Sequence, residues 1–367
     1  MLANGVSLLR WSCSLLLGPA ALAATACDAT QEESTGAWLL SEDDEARAIA
    51  EEEVDALVEP GPFLALAGQS TLSFTSPRGL IASTGNLYWT STLYDEFGPD
   101  SAVVWRASKG NVPGSEFPLY SESGDDRFFG AIVYANPGAF FGYFVANYIG
   151  PGGITSQIKR VPLTGGPAVV IASSPAPIAS RDLVTDGTRL FWVDAGGIRS
   201  VALAGGAVTT LRSSTVITRL RVDSSFIYYG EEFLIFRMPK AGGIGSVVVS
   251  TSGRVSALHV DPAIGWLFWG EIGGGVRATP STQSGGGAQA TYQASIAGRD
   301  VTSVGWDGSR VLWTDCAQPG NTSCRVMKRQ AGINQTLSAS GVGNGFLQWD
   351  TASLYWGDAG ALRKFVH

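Results

Sequence analysis

An all-β fold built from one repeated four-stranded unit is what this chain predicts, and three observations carry the prediction. First, an aromatic strand recurs seven times: Leu87-Tyr88-Trp89-Thr90, Gly142-Tyr143-Phe144-Val145, Leu190-Phe191-Trp192-Val193, Ile227-Tyr228-Tyr229-Gly230, Leu267-Phe268-Trp269-Gly270, Val311-Leu312-Trp313-Thr314 and Leu354-Tyr355-Trp356-Gly357. Second, a turn-forming residue stands six before the aromatic in five copies (Ser83, Asp186, Asp223, Asp307, Asp350) and eight before it in two (Asn136, Asp261). Such side chains bond the backbone of tight turns. Third, 47 of the 367 residues are Gly, about twice the usual share of roughly 7%. Paired Gly at Gly165-Gly166, Gly205-Gly206, Gly242-Gly243 and Gly285-Gly286-Gly287 supplies the positive φ of hairpin turns. The spacing of the aromatics, about 44 residues on average, fits a four-stranded β-propeller blade. The expectation is seven blades; six with an irregular insert is the alternative, because the second copy is the most degenerate.

Ahead of the repeats, residues 1–26 read as a cleaved export signal. Arg10 closes a weakly basic start, Trp11 to Ala24 are apolar, and the small residues Ala24, Thr25 and Ala26 precede Cys27. No later stretch reaches the roughly 18 apolar residues of a membrane span. Small residues before a Cys resemble a bacterial lipobox, with Ala24 where Leu is usual, so Cys27 is the candidate lipidation site. Ordinary cleavage at the same bond is the other reading; it leaves an unpaired thiol on an exported protein. The expected location is therefore the bacterial cell envelope, lipid-anchored, or else secreted and soluble.

Residues 27–62 form an acidic tether. Twelve acids against Arg47 give it a net charge of −11, more negative than the −7 of the whole chain. Ser41-Glu42-Asp43-Asp44 looks like a helix start, Ala46, Ile49, Ala50, Val54 and Leu57 give a thin apolar stripe, and Pro60-Gly61-Pro62 ends it. This is a solvated spacer, or a helix that docks on the body or on a partner. The body, residues 63–367, has 23 bases and 20 acids. It lacks the basic surplus that a nucleic-acid partner calls for. With 45% hydrophobic and 16% charged residues, the chain is also no disordered polymer.

Within the body, Phe63 to Ala67 is an extra strand before the first copy, while the last copy stops after its third strand, Ala361 to Val366. Pairing the two would close the last blade and protect both edges. An acid often follows each aromatic strand: Asp194, Glu231, Glu271, Asp315 and Asp358. Leu312-Trp313-Thr314-Asp315 and Tyr88-Trp89-Thr90 resemble the YWTD repeats of low-density-lipoprotein-receptor-type propellers, a resemblance that covers nearly the whole body. It implies six blades, against seven motifs counted here. It also implies that Asp194, Asp315 and Asp358 hold neighbouring blades together rather than act in catalysis.

Material for chemistry is sparse. Cys13 leaves with the signal; Cys316 and Cys324 bracket a short Pro-Gly segment and read as a disulfide closing a surface loop. Metal binding there is the weaker reading, since no His or further Cys lies nearby. The chain has two His, His259 and His367. His259 falls inside a first strand, where a lone His is most often structural. No P-loop, HExxH or EF-hand loop occurs.

The longest connections belong to copies one and two, and their extra residues are polar and aromatic. Tyr94, Asp95, Glu96, Phe97 and Asp100 lie between the second and third strands. Glu122, Asp125 and Asp126 precede the next first strand, and Tyr148 to Gly153 fill a second-to-third loop. Both loop types emerge on one face of a propeller, and long loops on a rigid scaffold commonly carry function. This is the candidate binding face, with ordinary loop variation as the alternative. Its acids suggest Ca²⁺ only weakly, since no metal-ligand spacing marks it, and no other cofactor is expected. The functional expectation is a module that binds a protein or glycan at the envelope and meets the membrane through its lipid anchor only. The runner-up is a propeller enzyme of the lactonase, lyase or hydrolase type, with acids and His converging on the central channel.

Overall fold

The aromatic repeat becomes the buried spine of a seven-bladed β-propeller. The structure, a computed structural model, describes residues 64–67, 77–93, 99–110, 115–135, 140–178, 182–285, 287, 289–320, 322–358 and 361–366. The predicted export signal, Cys27 and the predicted tether lie outside the described residues, as do Tyr94, Asp95, Glu96 and Phe97. A single strand, β1 (Leu64–Ala67), comes first. Blade I is β2 (Gly79–Ala82), β3 (Asn86–Leu93), β4 (Ser101–Ser108) and β5 (Phe117–Ser123); blade II is β6 (Arg127–Tyr134), β7 (Phe141–Gly150), β8 (Gly153–Pro162) and β9 (Val169–Ser174). Blade III is β10 (Val184–Thr185), β11 (Arg189–Asp194), β12 (Gly197–Ala202) and β13 (Thr209–Ser213). Blade IV is β14 (Ile217–Val222), β15 (Phe226–Glu231), β16 (Leu234–Pro239) and β17 (Ser246–Ser250). Blade V is β18 (Val255–Asp261), β19 (Trp266–Glu271), β20 (Val276–Pro280) and β21 (Ala290–Gln293).

The last two blades share a strand. Blade VI is β22 (Arg299–Trp306), β23 (Val311–Ala317), β24 (Thr322–Gln330) and the first part of β25 (Ile333–Trp349). The end of β25, from Leu347 to Trp349, pairs with β26 (Ser353–Asp358), which pairs with β27 (Ala361–Val366). Strand β1 then pairs antiparallel with β27, through Leu64 opposite Lys364 and Ala65 opposite Arg363. The N-terminal strand therefore completes blade VII, as the sequence predicts, and the blade count is seven.

Each second strand is sandwiched by its neighbours. Trp89, Phe144, Trp192, Tyr229, Trp269, Trp313 and Trp356 are all buried. Seven apolar clusters form, one at each blade junction, such as Phe191 and Ile198 of blade III with Leu220 and Met238 of blade IV. The cluster of Leu80 and Trp89 with Tyr355 and Leu362 joins blade I to blade VII and closes the ring. The second strands thus bury both faces and are apolar on both sides rather than alternating.

The residue after each aromatic explains a second part of the repeat. In blades I, IV, V and VII it meets the first strand of the next blade or the residues leading into it. A Cβ on Gly270 would lie 2.1 Å from Val301, and one on Gly357 would lie 2.7 Å from Pro77. Where that residue is Thr90, its hydroxyl donates instead to the Gly130 carbonyl at 2.6 Å. Close approach selects Gly or a hydrogen-bonding Thr at these junctions, while buried Val145 and Val193 fill the position in blades II and III.

The described turn residues act as expected; Asn136 lies outside the described residues. Asp186 accepts backbone N–H bonds from Thr188 and Arg189, both at 2.9 Å, and Asp223, Asp261, Asp307 and Asp350 do the same in their own turns. Two of these acids also bind a lysine from the next blade: Lys240 to Asp186 at 2.7 Å and Lys109 to Asp350 at 2.5 Å. Burial works to raise the Asp186 carboxyl, but the donors of Lys240, Thr188 and Arg189 outweigh it and hold its pKa at about 2. This lies below the ordinary 3.8, so the stabilisation is complete above about pH 4 and is lost as the pH falls through 2. Lys240→Met is expected to raise the Asp186 titration midpoint, read by carboxyl NMR, and to move acid unfolding to higher pH. An unmoved midpoint would show that the lysine does not set it.

Candidate functional site

Blades I and II bring the described residues of the predicted binding face together, with two corrections to their setting. Glu122 lies inside β5, and Tyr148 lies inside β7, not in loops. The reason is hairpin length. Strand β7 runs six residues past Phe144, to Gly150, whereas β11, β15 and β19 stop two past their aromatics. The four extra residues project about 13 Å at a rise of roughly 3.3 Å each. Strand β8 matches them, so Tyr148 pairs with Thr155 and Ile149 with Ile154, and only Pro151 and Gly152 form the tip.

Glu122 is the hub at the base of this hairpin. It accepts hydrogen bonds from Tyr120 Oη at 2.7 Å, from Tyr148 Oη at 2.9 Å and from Lys159 Nζ, and Arg127 stands 3.8 Å away. Burial pushes the Glu122 carboxyl up, but the bonds from Lys159, Tyr120 and Tyr148 hold it below the usual carboxylate range. Tyr148 is driven the other way, first by burial and then by its bond to Glu122. The carboxylate is therefore a joint between blades I and II. Asp125 Oδ1 accepts from the Asp100 backbone N–H at 2.8 Å, and Asp126 pairs with Arg127 at 3.0 Å. What remains for solvent is the exposed pair Asp125 and Asp126 beside the hairpin end, where Ile149 is 50% exposed.

Other acids after the aromatics also join blades, as the resemblance implies for Asp194 and Asp315. Asp194 takes a bond from Ser174 of blade II at 3.3 Å, Glu231 one from Arg212 of blade III at 2.7 Å, and Glu271 one from the Ser252 N–H at 3.2 Å. Blade II has Ala146 at this position, and Glu122 of blade I supplies the joint from the other side. The Asp358 side chain lies outside what the structure describes.

The channel holds residues that the sequence reading passed over. Its wall is made by the first strands, and it encloses a cavity of about 200 Å³ that widens toward the first-to-second turns into one of about 280 Å³. Arg221 lines both, and Arg219 lines the first. They alternate on β14 and flank the buried Asp182, each guanidinium 3.8 Å from its carboxylate. Asp182 Oδ1 also accepts from the Leu220 N–H at 3.1 Å. The Arg-Leu-Arg of β14 was the available signal, but without the ring it reads as an ordinary solvent edge.

His259 is packed among aromatic rings. Its ring stands 5.2 Å edge-on to Trp349 and 6.2 Å from Phe268. Burial, then the Arg221 charge, lowers its pKa to about 4, so it is neutral at pH 7. Trp349 belongs to blade VII and reaches blade V by crossing Gly305 of blade VI, where a Cβ would sit 1.8 Å from the indole. Gly305→Ala is expected to cost about 1–3 kcal/mol as an overpacking change, measured by urea unfolding, and the cost should vanish in a Trp349→Ala background. An undiminished cost there would mean that the indole is not the obstacle.

Cys316 and Cys324 form the expected disulfide, joining β23 to β24 beneath the exposed loop at Gln318 to Gly320, with both sulfurs in the blade VI–VII core. Among the described residues, no group of three or more His, Cys, Asp or Glu is placed to hold a metal ion.

No protein-family model and no curated protein matches the chain. Among solved structures it is similar to the crystal structure of the computationally designed Ika8 protein, at 12% identity and a TM-score of 0.52, over 83% of this chain and 100% of that one. That likeness supports the propeller fold alone.

Proposed function

We propose that this protein is an exported, lipid-anchored binding module, held at the cell envelope through Cys27, which recognises a protein or glycan with the β7–β8 hairpin and the acidic loops beside it. The observation that carries the reading is the hairpin itself. It projects past its counterparts and is braced at its base by the Glu122 network, and it presents Ile149 next to Asp125 and Asp126. An apolar tip with a charged rim on a rigid support is the pattern of a recognition element. The disulfide accords with an oxidising compartment. The YWTD-like repeat fits the same reading, since it builds the scaffold and leaves the loops free to vary.

The enzyme reading needs acids that converge with His259, and that ring instead packs against Phe268 and Trp349.

The test is affinity capture from an envelope extract, comparing the wild-type chain with a variant in which residues 149–154 are replaced by a two-residue Asn-Gly turn. The variant should melt within a few degrees of wild type and lose the captured partner. Retention of the same partner by a folded variant would overturn the assignment of the hairpin.

A further inference from the structure

The channel carries a second site, independent of the hairpin. Arg219 and Arg221 bring two permanent positive charges into a narrow space whose walls are first strands, and Asp182 is the acid between them. Arg221 donates from Nη1 to the Leu220 carbonyl at 2.6 Å, and Arg219 donates from Nε to Ser256 and from Nη1 to Thr218, both at 2.5 Å. All of these acceptors are backbone carbonyls. They satisfy donors without neutralising charge, so the site keeps one net positive charge. The side chains stay 22% and 31% exposed inside the ring, which leaves guanidinium donors facing the cavity. Ser303 and Gln348 add polar groups to the wall.

Holding an uncompensated guanidinium among apolar strands is unfavourable. Burial lowers the proton affinity of Arg221, in keeping with that strain. An oxyanion would relieve it, because the planar fork of Arg matches carboxylate and phosphate oxygens. The narrower cavity, about 200 Å³, equals the liquid volume of roughly seven waters. That is room for a phosphate or a short dicarboxylate.

We propose that the channel is a binding site for one small oxyanion, gripped by Arg221 and Arg219, with Asp182 weakening the grip. The experiment is calorimetry of the full chain in low-chloride buffer, with inorganic phosphate and with succinate as separate probes. One site per chain is expected for at least one probe, with a matching rise in melting temperature. Arg221→Gln should weaken binding about tenfold or more. Asp182→Asn keeps an oxygen for the Leu220 N–H but removes the opposing charge, so it should tighten binding by about tenfold. A merely structural Asp182 predicts no gain. The proposal fails if neither probe gives saturable heat, if Arg221→Gln binds as well as wild type, or if Asp182→Asn binds more weakly. The hairpin variant should bind the anion unchanged, which separates this site from the partner surface.

Discussion

Deleting residues 63–67 is expected to lower the melting temperature by about 10 °C and to make the protein associate through blade VII. The strand β1 is the fourth strand of that blade, and it is contributed from the far end of the chain. Without it, β27 becomes an open edge whose N–H and C=O groups lose their partners. Each backbone hydrogen bond contributes roughly 1 kcal/mol net, and a kilocalorie moves the midpoint of a domain approaching this size by about 2–4 °C. Three or four lost bonds therefore give the expected shift. An uncovered edge is also a template for a second chain, so light scattering should show association that grows with concentration. The control removes residues 50–54 and should melt like wild type. If the 63–67 deletion melts within about 2 °C of wild type and stays monomeric, ring closure by β1 contributes little.

The closure was legible in the sequence because of an imbalance: one strand too many at the front and one too few at the back. The blades were legible because every junction must bury an aromatic, and burial leaves a periodic trace in Trp89 through Trp356. Turn acids such as Asp186 were legible for a local reason, since the groups they satisfy lie two and three residues away. The channel was not legible, because Asp182 meets Arg221 only after two blades stand side by side. Glu122 shows the same limit from the other direction. Its acidity suggested a ligand contact, but Lys159, 37 residues later, turns it into a joint. The double role of β25 also escaped, since it depends on where blade VI ends rather than on residue type. Local chemistry and periodic burial survive in one dimension; pairings between blades do not.

Replacing Asp315 by Ala should destabilise the protein by about 3–5 kcal/mol, the usual result of removing one partner from a buried ion cluster. Its carboxylate is wholly buried and accepts from Arg299 Nε at 2.7 Å, from Arg325 Nε at 3.0 Å and from Arg325 Nη2 at 3.1 Å. Gln293 of blade V reaches it at 3.4 Å, so the cluster also ties two blades together. Removing the carboxylate leaves two guanidinium groups facing each other with no counter-charge. Asp194→Ala should cost less, on the order of 1 kcal/mol, because it strands one guanidinium, Arg199 at 3.3 Å, rather than two facing each other. The cost at Asp315 is chiefly that of stranded charge, not of a lost attraction. The triple variant Arg299→Met, Asp315→Leu, Arg325→Met should therefore recover most of the stability, since apolar replacements of buried ion clusters are often neutral or stabilising. Urea midpoints at constant m-value report all three. An Asp315→Ala cost below about 1 kcal/mol would refute the clamp, and a triple variant as unstable as Asp315→Ala would refute stranded charge as its cause.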